Sequence, residues 1–393
     1  MTPYPHQYEL ANAVGAKLEA YSIAYLAGEE RTGKTIAAII AAGRYTKTIL
    51  VITKRKAVEG WESTLAKLPH DGHFTVTTFG KAKNQVPHDL VIVDEAHNFV
   101  SSYPKPSATW KSIKKLCVNR PIIYCSATPH AQGPQMVYHQ LALSSYSPWK
   151  EVKNFYAWFK KYGRPYSIQI NGVKIAQYDK CHTAEVTACF EHLMITVTRK
   201  ELGFKQEPED KLHYITLDDA TKHVYNELMD HQLVELKAGT LVCDTTMKLR
   251  TSLHMLEGGV AKLKDQYVTL DNCEKLNYIR ETFGDHGKLV IMYNYIQEGV
   301  KLRYAFSKAV ILQATSNAEG VDLSMYDDLV IYSHDFSTAK HTQRRARQAN
   351  MERVDPIVVH YMLVKGAISS QAYKTVAINK KNFVDSVFTR IKL

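Results

Sequence analysis

The chain of 393 residues has no apolar run near the ~18 residues needed to cross a bilayer, and its first ten residues (MTPYPHQYEL) lack a signal-peptide pattern. Both absences point to a cytoplasmic protein without a membrane span. There is no C-x-x-C pair: the six cysteines stand apart at 117, 125, 181, 189, 243 and 273. That argues for reduced thiols in a reducing compartment. Cys181, His182, Cys189 and His192 form one cluster of metal-ligand types, but their spacing fits no common zinc pattern. No internal repeat, low-complexity tract or long linker is visible, which excludes a solenoid. Acidic residues are outnumbered, 39 against 50 Lys and Arg, giving a formal net charge of +11. A balance of this sign favours a polyanionic partner but equally suits a solvated basic surface.

What is present is an ordinary globular composition, 45% apolar and 23% charged, in a chain long enough for two domains. Short apolar runs at Tyr21–Ala27, Thr48–Thr53, Phe74–Phe79, Leu90–Asp94 and Ile122–Ser126 read as strands. Thr35–Tyr45 and Lys56–Leu68 between them have helical spacing. Strands alternating with helices predict βαβ units around a buried parallel sheet. The rhythm breaks over about 140–200, where Trp149, Phe155, Trp158, Phe159 and Tyr162 suggest packed helices, with a small hairpin about Asn171–Gly172. It resumes at Lys288–Tyr293, Val310–Ala314, Leu329–Ser333 and Ile357–Val364, predicting a second α/β lobe. The expected division is 1–145, an aromatic helical insertion over 146–205, and 206–393.

Gly28–Thr35 (GEERTGKT) matches G-x-x-x-x-G-K-[ST] between an expected strand and an expected helix, the context that gives this loop its meaning. Its backbone N–H groups and the helix N-terminus suit phosphate. Gly28, Glu29, Glu30, Arg31, Thr32 and Gly33 would form the cradle, Lys34 would reach the β/γ-phosphates, and Thr35 would offer a hydroxyl to Mg²⁺. Sixty positions on, the apolar run Leu90–Val93 delivers Asp94 and Glu95 to a sheet edge. Asp94 suits Mg²⁺ through water, and Glu95 suits positioning and deprotonating an attacking water.

Asp94-Glu95-Ala96-His97 resembles motif II of superfamily 2 helicase-like ATPases, and Ser126-Ala127-Thr128 resembles their motif III. The resemblance implies two RecA-like P-loop NTPase lobes that use ATP and Mg²⁺, with His97, Ser126, Ala127 and Thr128 coupling the nucleotide to nucleic acid. Tyr4-Pro-His-Gln7 looks like the glutamine motif, making Gln7 a candidate for the adenine edge. Ile49–Lys54 followed by Trp61 looks like motif Ia of the Snf-type translocase branch, and Thr77–Phe79 stands where that branch carries motif Ib. On this likeness Thr53, Lys54, Thr77, Thr78, Asn294 and Thr315 are expected to touch nucleic acid. Thr198–Lys200, Met247–Arg250 and Glu274–Leu276 echo the inter-lobe landmarks of the branch.

Ala314–Leu323 (ATSNAEGVDL) resembles motif V, with Gly320 and Asp322 near the nucleotide. Motif VI departs from the family form Q-x-x-x-R-x-x-R. Read from Gln343 it reaches Arg347 but ends on Asn350; shifted to Arg344 and Arg347 it puts Lys340 where glutamine belongs. Arg347 is common to both registers and is the first candidate arginine finger, Arg344 the second; Arg344, Arg345 and Arg347, with Arg353 nearby, could alternatively form a basic face touching phosphates. The phosphate loop also departs, with Glu30-Arg31-Thr32 in place of the Met-Gly-Leu usual in the branch. The chain resembles compact, often phage-encoded members and would then act in the host cytoplasm on DNA. The resemblance implies a monomeric ATPase that translocates on double-stranded or branched DNA and remodels it. A strand-separating DNA or RNA helicase, or a nucleotide-gated clamp with little turnover, are the alternatives.

Overall fold

The computed structural model describes residues 1–130, 133–170, 173–264, 266–314, 321–384 and 387–393. Two compact units divide the chain, Met1–Gly203 and Phe204–Leu393. The α/β class and the pair of parallel sheets are as expected. Among the described residues no helix is long and apolar enough to cross a membrane.

The first unit opens with helix α1 (Pro5–Tyr21), whose start is fixed by Pro5 and by the Gln7 side chain folding back on the Tyr4 N–H. Among its described residues the strands are β1 (Ile23–Gly28), β2 (Thr48–Thr53), β3 (His73–Thr78), β4 (Leu90–Asp94), β5 (Ile122–Cys125), β6 (Tyr166–Ile170), β7 (Val173–Gln177) and β8 (Met194–Val197). Six of them form one parallel sheet in the order β3-β2-β4-β5-β1-β8. Alternate residues bury on opposite faces: Ile23, Tyr25, Val91 and Val93 in one core, Ala24, Leu26, Leu90 and Ile92 in the other. This two-sided burial is why these strands read as continuous apolar runs.

Two expectations change here. The expected strand from Tyr21 starts two residues later, because Tyr21 ends α1 and Ser22 turns the chain with a left-handed φ of 56°. The segment 146–205 is not a body of its own. Trp149, Phe155, Trp158, Phe159 and Tyr162 complete the first unit's core, and β8 extends its sheet beside β1. β6 and β7 pair antiparallel as the expected hairpin; Asn171 and Gly172 themselves lie outside the described residues.

In the second unit the strands are β9 (Glu209–Ile215), β10 (Leu233–Leu236), β11 (Gly239–Val242), β12 (Val260–Lys262), β13 (Tyr267–Thr269), β14 (Leu289–Tyr293), β15 (Val310–Gln313), β16 (Asp328–Ile331) and β17 (Val358–Val364). The parallel sheet runs β15-β14-β16-β17-β9, and β10–β11 and β12–β13 are separate hairpins. Again β14 splits its side chains, Leu289, Ile291 and Tyr293 to one core and Val290 and Met292 to the other. The sheet strands not foreseen, β8 and β9, are edge strands. In β9 (EDKLHYI) polar residues on the exposed positions break the apolar run that marks central strands.

Candidate active site

β1, β5 and β4 are neighbours and parallel, with Leu26 opposite Cys125 and Cys125 opposite Asp94. Their carboxyl ends therefore share one sheet edge, the place where open α/β sheets bind ligands. The phosphate loop leaves β1 there, and the acidic pair ends β4.

The loop is closed on itself. Glu29 N–H donates to Val197 O at 3.0 Å, and buried Thr32 donates its hydroxyl to Glu29 O at 2.8 Å. Gly33 takes a left-handed φ of 81° and packs under Gln7, whose side chain leaves no room for a Cβ. Gln7 thus does reach the loop. Helix α2 (Lys34–Tyr45) begins immediately, so the unpartnered N–H groups of its first turn open on the loop. Lys34 turns its ammonium onto Gly28 O at 2.7 Å and Glu29 O at 2.6 Å. Arg31 has a φ of 69°, a left-handed conformation where glycine is the unstrained choice.

The two loop glutamates, expected in the cradle, turn their side chains to Arg199. Glu29 Oε2 accepts from the Arg199 backbone N–H at 2.8 Å and lies 3.8 Å from its guanidinium, which is also 3.8 Å from Glu30 Oε2. Both carboxylates face a buried cation. Sequence reading saw Arg199 as a landmark without this partner.

Glu95 has a left-handed φ of 52°, caps the short helix α4 (Ala96–Phe99), and donates its N–H to Cys125 O at 2.7 Å. Burial pushes its carboxyl up to about 7, with the Asp94 charge adding to the rise and Lys54 and Lys34 opposing it. A base poised near neutrality is what water activation requires. His97 follows, buried, with Nδ1 2.7 Å from Ser126 Oγ and Nε2 3.3 Å from Thr128 Oγ1. Burial drives the imidazole down to about 4, so its 3.3 Å approach to Glu95 is a contact of a neutral ring and no ion pair. Thr128 N–H also donates to Ser126 Oγ at 3.1 Å, which brings the expected coupling residues, Ala127 between them, against the acidic pair.

The residues expected to touch nucleic acid fare differently. Thr53 is 0% exposed and donates to Asp94 Oδ2 at 2.7 Å. Trp61, on helix α3 (Val58–Lys67) and 3% exposed, donates its indole N–H to the same oxygen at 3.0 Å. Thr77 is buried and 3.4 Å from the Gln85 amide. Thr53 and Thr77 therefore leave the set of backbone-gripping side chains, because a buried hydroxyl cannot meet a polymer. Lys54 and Thr78 are half-buried at the same sheet edge.

In the second unit Asn294 is not a free contact either. Its amide donates to Ser333 O and His334 O at 3.0 Å each, and its Oδ1 accepts from Arg344 at 2.7 Å. The same Arg344 nitrogen lies 2.7 Å from Asp335, with side chains 6% and 11% exposed. Arg345 binds Asp210 at 2.6 Å and Arg353 donates to Ser324 O at 2.9 Å. Of the alternative basic face, Arg344, Arg345 and Arg353 each hold the unit's own oxygens. Arg347 is half-buried on a single 3-10 turn, Ala346–Gln348, and its carbonyl accepts from Leu323 N–H at 3.3 Å. Asp322 is exposed and accepts from Ser324 N–H at 3.0 Å. Thr315 and Gly320 lie outside the described residues. Among the described residues no group of three His, Cys, Asp or Glu is arranged to hold a metal, the 181–192 cluster included.

No protein-family model matches the chain. Over 169 residues it is 27% identical to YqhH of Bacillus subtilis, described as an uncharacterized ATP-dependent helicase; the match spans 36% of this chain and 29% of that one. Among solved structures, the Sulfolobus solfataricus SWI2/SNF2 ATPase core in complex with dsDNA aligns at 13% identity with a TM-score of 0.45, covering 98% of this chain and 93% of that one.

Proposed function

We propose that the chain is a nucleic-acid-dependent ATPase, a helicase-like motor that moves on double-stranded or branched DNA. The observation that carries it is one sheet edge bearing both a lysine-containing phosphate loop and a buried carboxylate poised at about 7. The likeness to a stretch of YqhH, an ATP-dependent helicase by description, is consistent with it. ATP and Mg²⁺ fit the residues present. The loop ends in free helix N–H groups, and Thr35 and Asp94 offer the hard oxygen donors that Mg²⁺ takes, directly or through water.

In this reading Lys34 leaves the Gly28 and Glu29 carbonyls for the β/γ-phosphates, and Gln7 serves the adenine edge. Bound Mg²⁺ supplies charge neutralisation on the phosphate oxygens. Glu95 orients the attacking water and takes its proton. His97, Ser126 and Thr128 relay the state of that water site to the nucleic-acid side. Arg347 of the second unit is assigned the γ-phosphate from motif order. Lys54 and Thr78 remain for the nucleic-acid backbone, and contacts of this kind make binding sequence-tolerant and salt-sensitive.

The test is ATP hydrolysis measured side by side with single-stranded DNA, duplex DNA, branched DNA and RNA. Duplex or branched DNA should stimulate most, and Glu95→Gln should lower stimulated turnover by about 10²–10⁴ while sparing DNA binding. Strong stimulation by RNA alone would replace the DNA reading with an RNA helicase. Tight nucleotide binding without stimulated turnover would leave a clamp.

A further inference from the structure

We propose that Thr53 and Trp61 are positioning residues for the magnesium-side carboxylate Asp94, and that the segment between them couples nucleic-acid contact to the metal site. This inference rests on the ATPase reading above. Two donors from different elements, the end of β2 and the helix α3, converge on a single oxygen, Asp94 Oδ2, at 2.7 and 3.0 Å. β2 lies directly beside β4, with Ile52 opposite Val93, so Thr53 sits level with Asp94 across the sheet. Two donors on one oxygen of an ionised carboxylate fix the plane of the group and leave Oδ1 for the metal or its water.

The stretch joining the two donors carries Lys54, Arg55 and Lys56, the latter two exposed on a turn at Arg55–Ala57. Anchored at Thr53 and Trp61 and basic between them, it would bind a polyanion with its middle while its ends hold the catalytic aspartate. A shift of this segment on binding backbone phosphate is thus felt first at Asp94 Oδ2. In a sequence reading the same segment belongs to the nucleic-acid interface alone; the convergence on Asp94 gives it a second end.

The experiment compares Thr53→Val, which keeps volume, Trp61→Phe, which keeps an aromatic ring, and the double variant, all lacking the donors, with Thr53→Ser as the conservative control. Thermal unfolding checks the fold, and a fluorescent ADP reports binding in EDTA and across a Mg²⁺ titration. Affinity in EDTA should match wild type, while the Mg²⁺ concentration for half-maximal enhancement should rise about tenfold in each single variant and further in the double. Thr53→Ser should behave as wild type. A Mg²⁺ titration unmoved in the double variant would overturn the proposal, whether or not melting or DNA affinity changes. If the wild type itself shows no Mg²⁺-dependent nucleotide binding, the ATPase reading falls and takes this proposal with it.

Discussion

Buried polar groups at the carboxyl ends of the two parallel sheets are used in opposite ways. In the first unit Asp94 is held by Thr53 and Trp61 and His97 by Ser126 and Thr128, at the sheet edge where the Gly28–Lys34 loop leaves β1. In the second, Lys275 lies 3.5 Å from Glu257 with side chains 1% and 0% exposed, Arg344 holds Asp335 and Asn294, and Glu298 accepts from Ser333 at 2.6 Å. Charges there answer one another inside the unit. Two sheets of one architecture can thus direct a polar edge at a ligand or at the fold itself, and fold class alone does not say which.

The largest expected effect separates the two motif VI arginines. Arg347→Ala should cut stimulated ATP turnover by about 10³–10⁵, the range of an arginine finger. Arg344→Ala should instead lower the melting temperature, because Asp335 is left a buried charge without its main partner. The opposite pattern, a stable but inactive Arg344→Ala, would move the finger into the second unit's internal network and erase the contrast.

Next in size is the pair Lys275–Glu257. Glu257→Gln strands a buried ammonium and should cost about 3–5 kcal/mol, read as an earlier urea transition of the second unit with the first unit's transition unmoved. An unchanged transition would mean that the pair is not part of what holds the second unit together.

The smallest effect is in the pH profile. Glu95 is held up to about 7, and a base works deprotonated, so single-turnover hydrolysis should rise about tenfold from pH 6 to pH 8 and then level. Glu298 is also pushed up to about 7 by burial but serves Ser333 and backbone N–H groups. Glu298→Gln should leave the profile in place where Glu95→Gln removes it. A profile that followed Glu298 would break the comparison at its most specific point.

Much of the first unit was legible because its signals are local. A glycine-bracketed loop between strand and helix, and two carboxylates ending an apolar run, need only short-range spacing. The edge strand β9 was not legible, since polar residues on its exposed positions break the apolar run, and β8 is only four residues long. Motif Ia was read as one-sided: Thr53 and Trp61 stand 41 and 33 positions from Asp94, and only the pairing of β2 with β4 brings them together. The arginine-rich stretch after Lys340 was ambiguous for the same reason, because the partners Asp210, Asn294 and Asp335 lie on other elements.

By itself the sequence determined where a phosphate loop and an acidic pair must stand, since strand, turn and helix are chosen by neighbouring residues. Tertiary structure alone decided what their neighbours do. It set Arg199 against the loop's glutamates, Thr53 and Trp61 against Asp94, and Arg344 against Asp335. Hydrogen bonds, and the burial that lifts Glu95 and depresses His97, depend on distances between strands remote in the chain, and spacing within one segment cannot encode them.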